Sequence, residues 1–307
     1  MPFAFAHHAD AAGGVFTRRE ARSWGMTDNE LQRSVRSGMI KRLGYGVYAH
    51  GDLPDTREGR HAAIVRGVVR GRPRSWASAR SALALHDLPL IHSDLDTVIL
   101  CAPGRERYHR PGVVTYPVPE GEPVGAVAGV PSVSLETAIF QTVGRDRLST
   151  AIIAADAALH RGLTTIEALD ERRATLRRLA PRSQRVLDAV DASAESPGES
   201  LGRILIRGLG YRVQSQVEIR TPAGELIGRV DLLIDGVIIV EFDGDVKYGG
   251  ERGQRALVAE KRREDRLRAM GYVVVRLTWS DLFTRGRLER ILAEAVRQAR
   301  LLRPAAG

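Results

Sequence analysis

The stretch that decides the fold is Val230-Asp231-Leu232-Leu233-Ile234-Asp235-Gly236-Val237-Ile238-Ile239-Val240-Glu241-Phe242-Asp243. Two apolar, β-branched runs flank Asp235-Gly236, a dipeptide suited to a tight hairpin turn. Side chains alternate faces with period two, so loop length decides which residues share a face. A two-residue loop pairs Ile234 with Val237 and Asp231 with Val240. Asp231 then sits among Ile238, Val240 and Phe242, and Glu241 points the other way. A three-residue loop, Ile234 to Gly236 with Gly236 left-handed, pairs Leu233 with Val237. That register gathers Val230, Leu232, Ile238, Val240 and Phe242 on an apolar face and puts Asp231, Glu241 and Asp243 on the other. Burying an unpaired Asp costs several kcal/mol, so the odd loop is the expectation.

Carboxylates gathered on one face repel each other, and a divalent cation offsets the repulsion. Hard oxygen donors suit Mg²⁺ or Mn²⁺, so the face that holds Asp231, Glu241 and Asp243 is the expected place for such an ion. Such an ion polarises a phosphodiester and acidifies an attacking water. Of 46 basic residues only Lys41, Lys247 and Lys261 are lysine. Lys247 lies six residues beyond Glu241, and Lys261 lies on a charged segment that follows. Lysine titrates when placed in a site, whereas arginine effectively does not. Lys247 and Lys261 are therefore candidate catalytic cations.

Outward from the hairpin, Ser196-Pro197-Gly198-Glu199 opens a helix with Leu201, Ile204, Leu205 and Leu209 on one face. Glu199 either completes a capping box with Ser196 or joins the acids. Strand patterns cover 211–219, 229–234, 237–242 and 272–277. A charged helix is expected over 255–270 and a last helix over 288–301. The order α-β-β-β-α-β-α describes an α/β sandwich. Asp231, Glu241-Phe242-Asp243-Gly244, Asp265-Arg266, Leu267, Gly271-Tyr272 and Val275-Arg276 resemble the Vsr-like endonuclease domain of the PD-(D/E)XK restriction-endonuclease-like superfamily. The resemblance covers residues 196–284. It implies a first-helix acid at Glu199, the central metal-binding Asp at Asp231 and the strand acid at Glu241. In two places the chain departs from that pattern. Asp243 stands where the pattern has lysine, and Lys247 where many such domains place a histidine.

The first 50 residues carry two capping boxes, Thr17-Arg18-Arg19-Glu20 and Thr27-Asp28-Asn29-Glu30, with Gly25 between. The first predicted helix buries Ala21 and Trp24, the second Leu31 and Val35, and Gly38 closes the second. Two short strands follow around Gly44-Tyr45-Gly46. This is the pattern of a winged helix-turn-helix. Arg18 and Arg19, the exposed Asn29, Arg33 and Arg36, and the wing residues Lys41, Arg42 and Tyr45 are types that contact phosphates and base edges. The same architecture also serves protein contacts. Gly14-Val15-Phe16-Thr17-Arg18-Arg19-Glu20-Ala21 and Gly44-Tyr45-Gly46-Val47-Tyr48 resemble the N-terminal domain of AbiEi-type antitoxins, which implies DNA and a toxin or other protein as partners.

Residues 51–60 are polar and turn-rich and read as a linker, and a mixed α/β segment with no chemical motif follows. In it Ser78-Ala79-Arg80-Ser81-Ala82 with Leu85-His86 resembles a later part of AbiEi-type antitoxins. The expected organisation is 1–50 winged helix, 51–192 middle domain and 196–307 nuclease-fold domain, an α/β protein of 307 residues. The formal charge is +9, with the largest regional excess, +5, in residues 196–307, which suits a polyanion partner. No apolar run is long enough for a membrane span. The single cysteine, Cys101, forms no intrachain disulfide and reads as a buried strand residue, consistent with a reducing cytoplasm. Two functions are expected of such a chain: a metal-dependent endodeoxyribonuclease, or a DNA-binding regulator or antitoxin with a catalytically silent nuclease fold.

Overall fold

The computed structural model describes residues 3–44, 46–104, 107–119, 121–176, 180–243 and 250–302, with backbone alone at 3–4, 180 and 250–258. Among them the chain is a mixed α/β protein with three sheets and 13 helices. It divides into two compact units: residues 1–158 with 162–188, and 159–161 with 189–307.

The first unit opens with α1 (Phe3–Ala11), β1 (Val15–Thr17), α2 (Arg18–Ser23), α3 (Asp28–Arg36), β2 (Ile40–Gly44) and β3 (Val47–His50). The strands form an antiparallel sheet in the order β1-β3-β2. Both capping boxes are present. Thr17 accepts from the Glu20 amide and Thr27 from the Glu30 amide, while each Glu returns to the Thr backbone. Phe5, Phe16, Ala21, Met26, Leu31 and Ile40 form the core, with Trp24 and Val35 partly buried against it. Helix α1 was not legible in sequence. Its polar residues show no clear helical stripe, yet it delivers the fully buried Phe5.

Helix α4 (Arg57–Arg70) begins inside the expected linker, capped by Thr56. A Cβ on Gly67 would lie 2.3 Å from a Val47 methyl, so glycine lets the first sheet approach α4. Arg70 donates to the carbonyls of Val15 at 2.8 Å and Ala12 at 3.3 Å. A second sheet follows in the order β6-β7-β5-β4-β9-β8. Its strands are β4 (Trp76–Ala77), β5 (Val98–Ala102), β6 (Tyr108–Arg110), β7 (Val113–Pro117), β8 (Val124–Val127) and β9 (Val130–Val133). Helices α5 (Ala79–Leu85), α6 (Leu135–Val143), α7 (Leu148–His160), α8 (Ile166–Thr175) and α9 (Ala180–Leu187) accompany it. Cys101 is fully buried in β5, and burial pushes its thiol up to about 12.

The second unit contains α10 (Pro197–Gly208), β10 (Val213–Arg220), β11 (Leu226–Ile234), β12 (Ile238–Phe242), α11 (Gly250–Ala269), β13 (Val273–Leu277), α12 (Trp279–Phe283) and α13 (Arg287–Leu302). Apart from the short α12, this is the order expected from sequence. The sheet runs β10-β11-β12-β13, antiparallel except for the last, parallel pair, which α11 connects.

The decisive loop is odd, as expected, but sits one residue later. Ile234 pairs with Ile238 and Leu233 with Ile239, so the loop is Asp235–Val237 rather than Ile234–Gly236. Asp235 and Gly236 take the turn themselves at φ 48° and 74°, and the Val237 amide donates to the Ile234 carbonyl at 3.0 Å. Val237 is the extra residue; its carbonyl accepts from Val273 on β13 at 3.1 Å. The parity is unchanged, and continuing the register sets Asp231 across from Glu241. Leu233 and Ile239 pack with Leu267 of α11. Phe242 lies against α10, where a Cβ on Gly198 would fall 2.2 Å from its ring.

Candidate active site

Asp231 and Glu241 occupy neighbouring positions on the central hairpin, both half-buried by α11 and the strands around them. One Asp231 oxygen accepts the Phe242 amide at 2.8 Å, which fixes the carboxylate across the ladder. Burial raises both carboxyls, Glu241 to about 7. Each acid also bears the charge of another: Asp231 acts on Glu241, and Glu199 acts on Asp231. Arg263 of α11 opposes this, donating to Glu241 at 2.5 Å and to the Arg229 carbonyl at 2.9 Å.

Glu199 stands in the first turn of α10, and its carboxylate accepts from the Glu195 amide rather than from the Ser196 amide that a capping box requires. Its amide donates to the Ser196 hydroxyl at 3.2 Å, giving α10 its N-cap. The residue is 93% buried, and its carboxylate accepts the Glu195 amide at 3.0 Å and the Gln216 side-chain amide at 2.8 Å. Gln216 is in the left-handed region at φ 53° inside β10, a conformation that costs about 1–3 kcal/mol for a non-glycine residue.

Asp243 is not drawn into this group. It stands exposed beyond the end of β12 and pairs with Arg276 at 3.3 Å. Arg276 also contacts Glu260 at 2.7 Å and Glu264 at 3.1 Å, tying β13 to α11. The expected trio Asp231, Glu241 and Asp243 is thus a pair with Glu199 nearby. Among the described residues no group of three or more His, Cys, Asp or Glu stands together as metal ligands. Lys261 is exposed on α11, and the cation at Glu241 is Arg263 instead. Lys247 lies outside the described residues.

Sequence reasoning missed Gln216 and Arg263. Gln216 carries no signal, because its role depends on a backbone kink. Arg263 was hidden among 43 arginines, although it lies one helical turn before the buried Leu267 and so shares its inward face.

In the first unit, Asn29, Arg33 and Arg36 are exposed along α3 at a spacing that keeps them on one face. Lys41 and Arg42 are exposed on β2, with Lys41 4.0 Å from Asp52. Arg19 is exposed, and Tyr45 lies outside the described residues. Arg18 is committed to a two-point ion pair with Asp28, at 2.8 and 2.6 Å. No helix among the described residues is long and apolar enough to cross a membrane. Neither the protein-family models nor the curated proteins compared with the chain match it.

Proposed function

We propose that the chain is a DNA-binding protein whose second unit is a restriction-endonuclease-like nuclease domain of the Vsr type, hydrolysing phosphodiesters with Mg²⁺ or Mn²⁺. The observation that carries this reading is the half-buried, mutually repelling pair Asp231 and Glu241 across the central hairpin, within an α-β-β-β-α-β-α unit. Hard oxygen donors whose anionic forms are disfavoured fit a divalent cation, which restores the charge balance. Asp231 and Glu241 would hold the ion, which when bound polarises the phosphodiester and acidifies a water. The chain's own residues do the rest. Phe242 orients Asp231 through its amide, Gln216 and the Glu195 amide orient Glu199, and Arg263 offers a guanidinium for phosphate oxygens. The first unit supplies a winged helix-turn-helix, in which α3 and the β2–β3 wing place Asn29, Arg33, Arg36, Lys41 and Arg42 on DNA.

The test incubates supercoiled plasmid and single-stranded DNA with Mg²⁺ or Mn²⁺, using Asp231→Ala and Glu241→Ala as controls. Cleavage lost in both variants supports the reading. Cleavage surviving both, or absent from the wild type with either metal, refutes it. One observation favours a second reading, a regulator or antitoxin with a silent nuclease fold. Asp243 replaces the lysine of the (D/E)XK pattern and faces Arg276 at 3.3 Å. DNA binding without cleavage is the result that reading requires.

A further inference from the structure

A second basic surface lies in the first unit, apart from α3 and the wing. The end of α1, the last turns of α4, residues 72–75 and the β8–β9 turn enclose an open cavity of about 820 Å³. Arg66, Arg70, Arg72 and Arg74 line it, and no Asp or Glu does. Arg70 is engaged with the backbone of Ala12 and Val15 and with Glu20. Arg72 donates to the Val68 carbonyl at 3.4 Å, but among the described residues no carboxylate pairs with Arg66, Arg72 or Arg74. Arg66 and Arg72 are nonetheless half-buried. Burial, together with the charge of Arg110, disfavours the cationic form of Arg72. Guanidiniums gathered in a partly desolvated hollow without counter-charge call for an anion. The planar fork of arginine matches phosphate oxygens. The rest of the lining is Ala, Gly, Val, Pro and Ser, so there is no ring on which a base stacks and no side-chain amide to read a base edge.

We propose that this groove binds phosphate groups, with Arg66, Arg72 and Arg74 as the contacting cations and a nucleic-acid backbone as their source. The groove gives the first unit a second, sequence-indifferent contact beside α3. The site stands on its own geometry; only the source of the phosphate rests on the DNA-binding reading.

The test uses the full chain and a fluorescein-labelled DNA duplex of arbitrary sequence, with anisotropy read across a salt series. Each phosphate contact contributes about 0.9 to the slope of log K against log [salt]. Arg66→Gln/Arg72→Gln/Arg74→Gln is expected to lower that slope by about 2–3. A charge-matched control, Arg173→Gln/Arg182→Gln/Arg185→Gln, removes three arginines from α8 and α9 and is expected to leave the slope in place. Equal slopes in the wild type and the groove variant overturn the proposal, as does an equal fall in the control. Thermal shift with inorganic tripolyphosphate separates the sources. If the wild type ignores DNA, the DNA-binding reading fails. Stabilisation by tripolyphosphate that disappears in the groove variant then sustains the phosphate site with a free polyphosphate as its source. No shift in the wild type overturns the site as well. Circular dichroism of both triple variants separates lost binding from lost folding.

Discussion

Replacing Glu241 by Gln removes a charge that the fold holds at a cost. Its carboxyl rises from an ordinary 4.5 to about 7 through burial and Asp231. That displacement is worth about 3 kcal/mol. The folded state retains the proton over a range in which the unfolded chain has released it. The penalty is therefore absent below pH 4.5, grows as pH rises, and is complete above about pH 7. The neutral amide in E241Q escapes it, and the opposing pull of Arg263, which keeps the Arg229 carbonyl, is already contained in that displacement. E241Q is thus expected to match wild type at about pH 4.5, where folded Glu241 is itself protonated, and to be about 3 kcal/mol more stable at about pH 8. Urea unfolding measures this in a W24F/W76F background, where Trp279, edge-on to Phe242 at 5.0 Å, is the remaining tryptophan. A stability difference that does not change between those two pH values would refute the reasoning, because the two carboxylates would then not be confined against each other.

Three further outcomes follow from the packing. Gly198→Ala forces a methyl to within 2.2 Å of the Phe242 ring, so the stability of the Trp279-reported transition is expected to fall by about 1–3 kcal/mol. Gln216→Gly and Gln216→Ala both release Glu199, but glycine accepts φ 53°; Q216G is expected to be the more stable of the two by about 1 kcal/mol in urea titrations. Cys101, buried with its thiol pushed up to about 12, is expected to react with a thiol reagent at about pH 8 only at the rate at which the first unit opens, so native labelling as fast as that of the unfolded chain would contradict its placement.

The elements of the second unit were legible because each carries its own signal. An Asp-Gly turn, β-branched runs and a charged helix spanning a parallel crossover leave little freedom in their order. The parity of the hairpin was legible too, since only one choice avoids burying Asp231 among aliphatic side chains. The position of the loop was not, because the place of Val237 depends on a hydrogen bond from β13 that no local pattern encodes. In the first unit, β4, β6 and β9 span two to four residues, too short for alternation to register. At the site, the acids were recognisable by type and position. The groups that hold them, Gln216 and Arg263, were not, since one depends on a local backbone irregularity and the other on the rotation of a helix about its axis.

Gly67 has a bearing on how such a chain could be recombined. Helix α4 begins where a linker was expected and meets Val47 through a position without a side chain, while Arg70 reaches two carbonyls of the opening segment. A graft cut at residue 50 would leave Val15 and Val47 without their partner surface and those carbonyls without their donor. Any transplant of the N-terminal elements into another protein has to carry residues 57–70 with them. A crossover in ancestry that split the chain there would have delivered two fragments, neither with a finished surface.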